Sequence, residues 1–516
     1  MRSTAEIRFR PGAWRWLIGL GLAAGLPILP ASAATLTRGP YLQLGTPTSI
    51  VVRWRTDTLA SSRVRYGAES ANLNFTADDA ASVANHIVTL SNLTPDTVYF
   101  YSIGSPTETL AAGTNYFFRS APSIGSQRPI RIWVLGDSGM TNMSAGPVRD
   151  AYYAFTGPRY TDVWLMVGDN AYHGGMDNVW QAAVFNTYPT LLRQTVLWSC
   201  IGNQETFNLP TGPPTLPYFD ILSLPMNGEA GGVASGTEKY YSFDYGNIHF
   251  ICLDSMSSAR TNGSPMLTWL EADLAAYTNQ WLIAFWHHPP YSKGSNDSDA
   301  KTEQIEMRAN AVALLEAHGV DLVLGGHSHS YERSYLMDGH YGLSTTFTTN
   351  MLKDSGSGRP DQSGAYSKNT LGAAPHEGTV YAVAGSGCSL GGGTLNHPAM
   401  VSSMNRLGSM VLDVHANRLD AKFIRETGAT NDYFTLIKGA PQLRVTCLAV
   451  SGQTLTLDWV SVADRTYRVE SSGSLTSPQW ADLSGSLVAS GARMSWTGTN
   501  ALPEVQAFYR VLQVGN

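Results

Sequence analysis

Along residues 38–120 apolar and polar positions alternate. "TSIVVRWRTD", "SRVRYG", "HIVTLSNLTPDTVYFYSIG" and "TNYFFRSAP" are short period-two runs with turn residues between them. This is the pattern of half-buried strands, and it predicts a small β-sandwich over 34–122. From about residue 128 the pattern changes. "IRIWVLGD", "DVWLMVGD", "TVLWSCIGN", "IHFICLDS", "WLIAFWHH", "VDLVLGGH" and "VYAVAGSG" are unbroken apolar runs, separated by "VWQAAVFNTYPTLLR", "PMLTWLEADLAAYT" and "EQIEMRANAVALLEAHG", the last with helical spacing. Unbroken runs suit strands buried on both faces, so 128–438 reads as a layered α/β domain with sheets flanked by helices. The Gly/Ser/Thr-rich stretch 339–375 reads as a long loop. Alternation returns in "LTLDWV", "TYRVESS", "MSWTG" and "AFYRVLQV", predicting a second small β domain over 441–516 after the linker "KGAPQ". The fold class is therefore multidomain: β-sandwich, central α/β layers, small β domain.

Composition narrows this little. The 516 residues carry a net charge of −6, which gives no basic face for nucleic acid. The N-terminus says more. Arg2, Arg8, Arg10 and Arg15 precede "WLIGLGLAAGLPIL", which ends in "PASA" with small residues at Ala31 and Ala33. That is a secretory signal over 1–33 with cleavage near Ala33–Ala34. The apolar run is too short and too interrupted for a comfortable membrane span. The expectation is a secreted, periplasmic or cell-surface protein with no membrane span once the signal is removed. Disulfides are permitted there. Cys200 and Cys252 nevertheless sit in apolar strand-like runs, where buried free thiols are as good a reading as a bridge.

The middle block repeats one arrangement: an apolar strand ends, a glycine follows, then a metal-capable side chain. Asp137 stands in "VLGDSG", Asp169 and Tyr172 in "MVGDNAY", Asn203 in "CIGNQE", His287 in "AFWHHPPY", and His327 and His329 in "LGGHSH". Taken singly, each has an ordinary role: a cap, a turn residue, a packed ring. As an ordered set at the carboxyl ends of strands, where α/β sheets gather their ligands, they predict one site. In extended backbone His327 and His329 would point to the same side, each facing a different ion, and Asp169 could bridge two ions. Mixed oxygen and nitrogen donors suit iron, zinc or manganese better than calcium.

The order Asp-x-Gly, Gly-Asp-x-x-Tyr, Gly-Asn, His-x-Pro, Gly-His-x-His resembles the purple acid phosphatases, within the calcineurin-like metallophosphoesterases, over about 35–438. "LSNLTPDTVYFYSI" is similar to the Leu-x-Pro…Tyr-x-Tyr corner of a fibronectin type III-like domain, which plant-type members of that family carry N-terminally. The resemblance implies a dinuclear centre. Asp137, Tyr172 and His329 would hold Fe(III), Asn203, His287 and His327 a divalent Fe, Zn or Mn, and Asp169 would bridge. The His-x-Pro pattern selects His287 and leaves His288 outside the ligand set. The implied activity is acid phosphatase: hydrolysis of phosphomonoesters by metal-activated hydroxide. Diesters or nucleotides on the same site, and a non-catalytic metal-binding scaffold or adhesion protein, are the alternatives.

Two positions depart from the family pattern. Gln204 stands where the family has His in Gly-Asn-His-Glu, with Glu205 retained, and Asn296 stands where related sequences have another substrate-facing His. An amide donates a hydrogen bond to phosphate but no proton to a leaving alkoxide. Gln204, Glu205 and Asn296 are the expected catalytic contacts, with His173, Tyr291 or Glu205 as candidate proton donors. The loops 206–237 and 339–375 are expected to line the pocket for the phosphate ester. The aromatics Trp459, Tyr467, Trp480 and Tyr509 read as core more than as a ligand platform. The C-terminal domain could still contact a cell surface or polymer.

Overall fold

The computed structural model describes residues 34–141, 144–207, 216–439, 443–462, 465–491, 493–499 and 506–514. The expected signal segment 1–33, residues 208–215 of the loop 206–237, and 440–442 of the linker lie outside the described residues.

The three-part architecture is observed. In the N-terminal part the 18-residue strand Ile50–Gly67 pairs with Leu36–Gln43, Phe75–Leu90 and Val98–Gly104, all antiparallel. Its inward side chains form a separate core around Leu42, Val52, Trp54, Val64, Tyr101 and Phe118.

The central part is built on two seven-stranded sheets. One runs Tyr366–Lys368, Thr430–Lys438, Arg418–Arg425, Gly408–His415, Ile130–Leu135, Val163–Met166, Leu197–Ser199. The other runs Tyr241–Tyr245, Ile248–Cys252, Trp281–Phe285, Leu322–Gly325, Val380–Ala384, Tyr331–Ser334, Met400–Met404. Each has a parallel segment made of the unbroken apolar runs: 130–135, 163–166 and 197–199 in the first, and 248–252, 281–285, 322–325 and 380–384 in the second. These strands are buried on both faces because the sheets pack on one another and helices cover the outer faces. Tyr152 of helix Ala145–Thr156 stacks on Trp133 at 4.3 Å. Met266, Leu267, Leu270 and Leu274 of helix Pro265–Ala276 join Ile251, Leu282, Ala284 and Val323 on the other side.

The stretch 339–375 is more than a loop. Leu352–Asp354 pairs with Leu336–Met337, and Tyr366–Lys368 adds an edge strand parallel to Thr430–Lys438. Strands of three residues are too short to show a period, so the sequence pattern could not reveal them.

The N-terminal part docks firmly on the segment 177–224. Arg38 and Arg55 both reach the Asp177 carboxylate, at 2.8 and 2.6 Å. The Tyr41 hydroxyl donates to the Ile221 carbonyl at 2.7 Å, and that of Tyr101 to the Arg193 carbonyl at 2.8 Å.

The C-terminal part has a three-stranded and a four-stranded sheet around Leu455, Leu457, Trp459, Tyr467 and Val469. Trp459 and Tyr467 are core, as expected. Trp480 is half-buried under the Arg510 guanidinium, 4.2 Å from its ring centre. Cys200, Cys252, Cys388 and Cys447 are all free thiols. Among the described residues no helix is long and apolar enough to cross a membrane.

Candidate metal centre

Both parallel segments end at the same place. Asp137, Asp169 and Asn203 follow the strands of one sheet, and His287, His327 and His329 those of the other. The carboxyl ends thus deliver seven side chains, Tyr172 included, to one volume between the sheets.

The backbone is forced to make this possible. Asp137, Asp169 and His327 all have left-handed φ values of 52°, 52° and 63°. Such conformations cost on the order of 1–3 kcal/mol for residues other than glycine and concentrate at functional sites. Gly168 and Gly202 allow the close approach: a Cβ on Gly168 would meet the His287 ring at 2.4 Å, and one on Gly202 the Asp169 carboxylate at 2.2 Å.

His327 and His329 do part company, but not through extended backbone. The strand stops at Gly325, and the left-handed turn at His327 separates the two rings. His329 Nε2 lies 3.3 Å from Asp137 Oδ1 and 3.0 Å from the Tyr172 hydroxyl. His327 Nδ1 lies 2.8 Å from Asn203 Oδ1. His287 Nε2 lies 3.0 Å from the same Asn203 oxygen and 3.3 Å from Asp169 Oδ1. Two potential metal-ligating groups result: Asp137, Asp169 and His329, and His287, His288 and His327.

The donors fit cations. His287 Nδ1–H donates to the Val167 carbonyl at 3.0 Å, which leaves Nε2 as a bare lone pair. That lone pair faces the oxygens of Asn203 and Asp169, acceptor against acceptor. The arrangement is unfavourable unless an ion sits among them, and ligand atoms about 2.1 Å from a common ion stand roughly 3 Å apart. The electrostatics agree. Burial, and then Asp137 and Glu205, push the Asp169 carboxyl well above its ordinary range. Burial, and then Asp137 and Asp169, raise the Tyr172 phenol. Burial and His287 push the His327 imidazole down to about 2. The site therefore holds oxygens starved of positive charge beside a His327 imidazole kept neutral, which is the form that ligates metal.

The expected catalytic contacts divide. The Gln204 side chain lies beside the site, its Oε1 accepting the His173 N–H at 3.3 Å, while its backbone N–H holds Asp169 Oδ1 at 2.8 Å. Asn296 is half-buried and donates its amide to the His327 carbonyl at 2.8 Å, bracing that turn. Glu205 is not a surface acid facing substrate. It is buried, and its two oxygens accept the backbone N–H groups of Asn170 (2.5 Å), Ala171 (3.0 Å) and Gly202 (2.7 Å). This ties the Asp169 turn to the Asn203 turn and commits both oxygens to the backbone. Tyr291 is likewise fully buried, its hydroxyl spent on the His340 carbonyl. Of the three proton-donor candidates only His173 is exposed beside Gln204.

Three neighbours escaped sequence reasoning. Ser389 Oγ pairs with His329 Nδ1 at 2.5 Å, and Cys388 Sγ donates to the Asp137 carbonyl at 2.8 Å. Both follow the strand Val380–Ala384, whose "GSGCS" end was the available signal. The third is His288, which the His-x-Pro pattern set aside and the structure brings into the second group.

Comparisons with known proteins bear on the family and the fold. Residues 37–122 match the family model "Purple acid Phosphatase, N-terminal domain", and 130–331 match "Calcineurin-like phosphoesterase". Probable purple acid phosphatase 20 of Arabidopsis thaliana is 28% identical over 308 residues, covering 57% of this chain and 68% of that protein. Acid phosphatase type 7 of Mus musculus is 29% identical over 327 residues, covering 56% and 68%. The chain spans about half, 49%, of Arabidopsis purple acid phosphatase 15. Among solved structures, purple acid phosphatase PPD1 from yellow lupin (Lupinus luteus) seeds superimposes with a TM-score of 0.60 at 18% identity, over 78% of this chain and 75% of that one. That likeness speaks to the fold. With two matched domains, and Asp169 of one potential ligand group 3.3 Å from His287 of the other, the chain belongs to the purple acid phosphatase/calcineurin-like metallophosphoesterase superfamily.

Proposed function

We propose that this chain is an exported dinuclear-metal acid phosphatase that hydrolyses phosphomonoesters. The observation that carries the reading is the position of Asp169. Its carboxylate belongs to the Asp137–His329 group and also stands 3.3 Å from His287 Nε2 of the other.

Asp137, Tyr172 and His329 offer carboxylate, phenolate and imidazole, which suits Fe(III). His287, His327 and the Asn203 amide oxygen suit a divalent ion. When bound, two such cations activate water and neutralise the oxygens of a phosphate ester. The protein's part is to hold the donors still. Asp137 Oδ2 accepts the His327 N–H at 2.8 Å while Asn296 holds the carbonyl of the same residue, so the His327 turn is fixed at both ends. With Gln204 Oε1 committed to His173, the amide NH₂ is the end that a phosphate oxygen would meet. Activated aryl esters are the favoured substrates, because an amide cannot protonate an alkoxide leaving group. Export is supported by the N-terminal signal pattern, and N-terminal sequencing of protein recovered outside the cell, expected to begin near Ala34, tests it.

The primary test is hydrolysis of p-nitrophenyl phosphate by metal-loaded wild type and Asp169→Asn. Turnover in wild type that is lost in the variant is expected. An inactive, fully metal-loaded wild type would overturn the phosphomonoesterase reading and bring diesters to the front.

A further inference from the structure

The second ligand group contains one more imidazole than the dinuclear reading uses. His287, His288 and His327 each offer a nitrogen, and the three nitrogens lie within 4.8 Å of one another. The rings are close: His288 to His327 at 4.4 Å between centres, and His287 to His288 at 5.0 Å. His288 is not a surface residue that drifted there. It is 3% exposed, and it is built in from behind.

Ser255 does the building. Its Oγ accepts the His288 backbone N–H at 3.1 Å and lies 2.9 Å from His288 Nδ1. A hydroxyl oxygen has two lone pairs and can accept from both. With Nδ1–H given to Ser255, Nε2 is the bare nitrogen. This is how a ligating imidazole is oriented, with the remote N–H on a fixed acceptor and the near nitrogen free. Ser255 is itself immobile. It is fully buried, Arg260 donates to its carbonyl at 3.1 Å, and Asp254 gathers the N–H groups of Met256 and Ser257, each at 2.9 Å. His287 has the same construction, its Nδ1–H on the Val167 carbonyl.

We propose that His288 is a third imidazole ligand of the ion held by His287, His327 and Asn203, making this position nitrogen-rich and selective for zinc over manganese or magnesium. The proposal rests on the dinuclear reading above. Its selectivity follows from donor chemistry, since imidazole favours zinc whereas manganese and magnesium prefer carboxylate, carbonyl and water.

The test reads the metal directly. Zinc is loaded into the full-length protein with iron in the other position, and zinc-edge X-ray absorption counts the imidazoles around it. Three are expected, and two would overturn the proposal. Zinc affinity is then measured by competition with a chromophoric chelator for wild type, His288→Ala, Ser255→Ala and His287→Ala. His288→Ala is expected to weaken zinc by more than the roughly 100-fold that losing an outer partner costs, and Ser255→Ala by about 10–100-fold. The zinc-to-manganese preference should fall in His288→Ala. An affinity and preference equal to wild type in a folded His288→Ala protein would overturn the proposal. His287→Ala separates the two readings: if it also keeps its zinc, the dinuclear assignment fails and takes this one with it.

Discussion

Glu205→Gln distinguishes a structural carboxylate from a catalytic one. The Glu205 oxygens accept three backbone N–H groups at 2.5–3.0 Å in a buried setting. In the glutamine variant one oxygen becomes an NH₂ group. Either the Gly202 N–H or the Asn170 and Ala171 pair then faces a donor. Hydrogen bonds to a charged group contribute about 1.5–3 kcal/mol each, and a stranded buried N–H costs about 1–3 kcal/mol. Burial raises the Glu205 carboxyl above its ordinary value even against these backbone donors, so part of the charge advantage is already offset. A net loss of about 3 kcal/mol is therefore expected. For a catalytic unit of roughly 300 residues the unfolding entropy is about 0.6 kcal/mol/K, so the melting temperature should fall by about 5 °C. Because the carboxylate joins the Asp169 and Asn203 turns, metal affinity should fall with it. The assay is calorimetry together with metal analysis of purified wild type and variant. A variant that melts within about 1 °C of wild type, keeps both metals and loses only turnover of alkyl esters would refute the reasoning and restore Glu205 as an acid.

Other expectations can be checked independently. His249 is buried between Asp244 and Asp273, at 2.8 and 2.9 Å. Although burial alone would lower it, the two carboxylates raise its imidazole to about 9. This stabilisation is complete below about pH 6.5 and disappears as pH rises through about 9, at most on the order of 3 kcal/mol. Melting temperature should drop across that window, and His249→Gln should flatten the drop. Ser389→Ala frees the back of the His329 ring and should weaken metal binding at the Asp137–Asp169–His329 group about 10–100-fold, read by chelator competition. His173→Ala should slow an alkyl phosphate by about 10²–10⁴-fold and p-nitrophenyl phosphate far less; equal slowing of both would remove His173 as the leaving-group donor. Asp321→Asn strands Lys368 and Lys438, buried at 2.7 and 2.8 Å from its carboxylate, and should cost about 3–5 kcal/mol in chemical denaturation.

Much of this was legible in the sequence, for a physical reason. Strands buried on both faces must be apolar throughout, so their ends are abrupt, and the seven candidate donors follow five such ends. What the pattern could not convey is how side chains are used once the chain turns. Glu205 and Gln204 are neighbours in the sequence, yet one faces inward to backbone donors and the other the site. His288 follows His287 directly, and only the geometry of the turn after Phe285 and the facing Ser255 decides that both rings converge. The short strands Leu352–Asp354 and Tyr366–Lys368 are set by tertiary pairing and have no local signature.

The two arginines on Asp177 have a consequence for how this molecule can be divided. Asp177 lies five residues beyond Tyr172, on the segment that carries His173. Against burial, which pushes it up, Arg55 and Arg38 hold its carboxyl below the ordinary value. The first domain therefore anchors the far end of the loop whose near end is Tyr172, a proposed metal donor. Cutting the chain near residue 125 would release that anchor, and the excised catalytic piece should bind metal at the Asp137–Asp169–His329 group more weakly than the intact protein does. Linkage makes the effect reciprocal: a filled centre grips the N-terminal domain more tightly. Protease resistance of the segment joining the two domains thus becomes a gauge of metal occupancy.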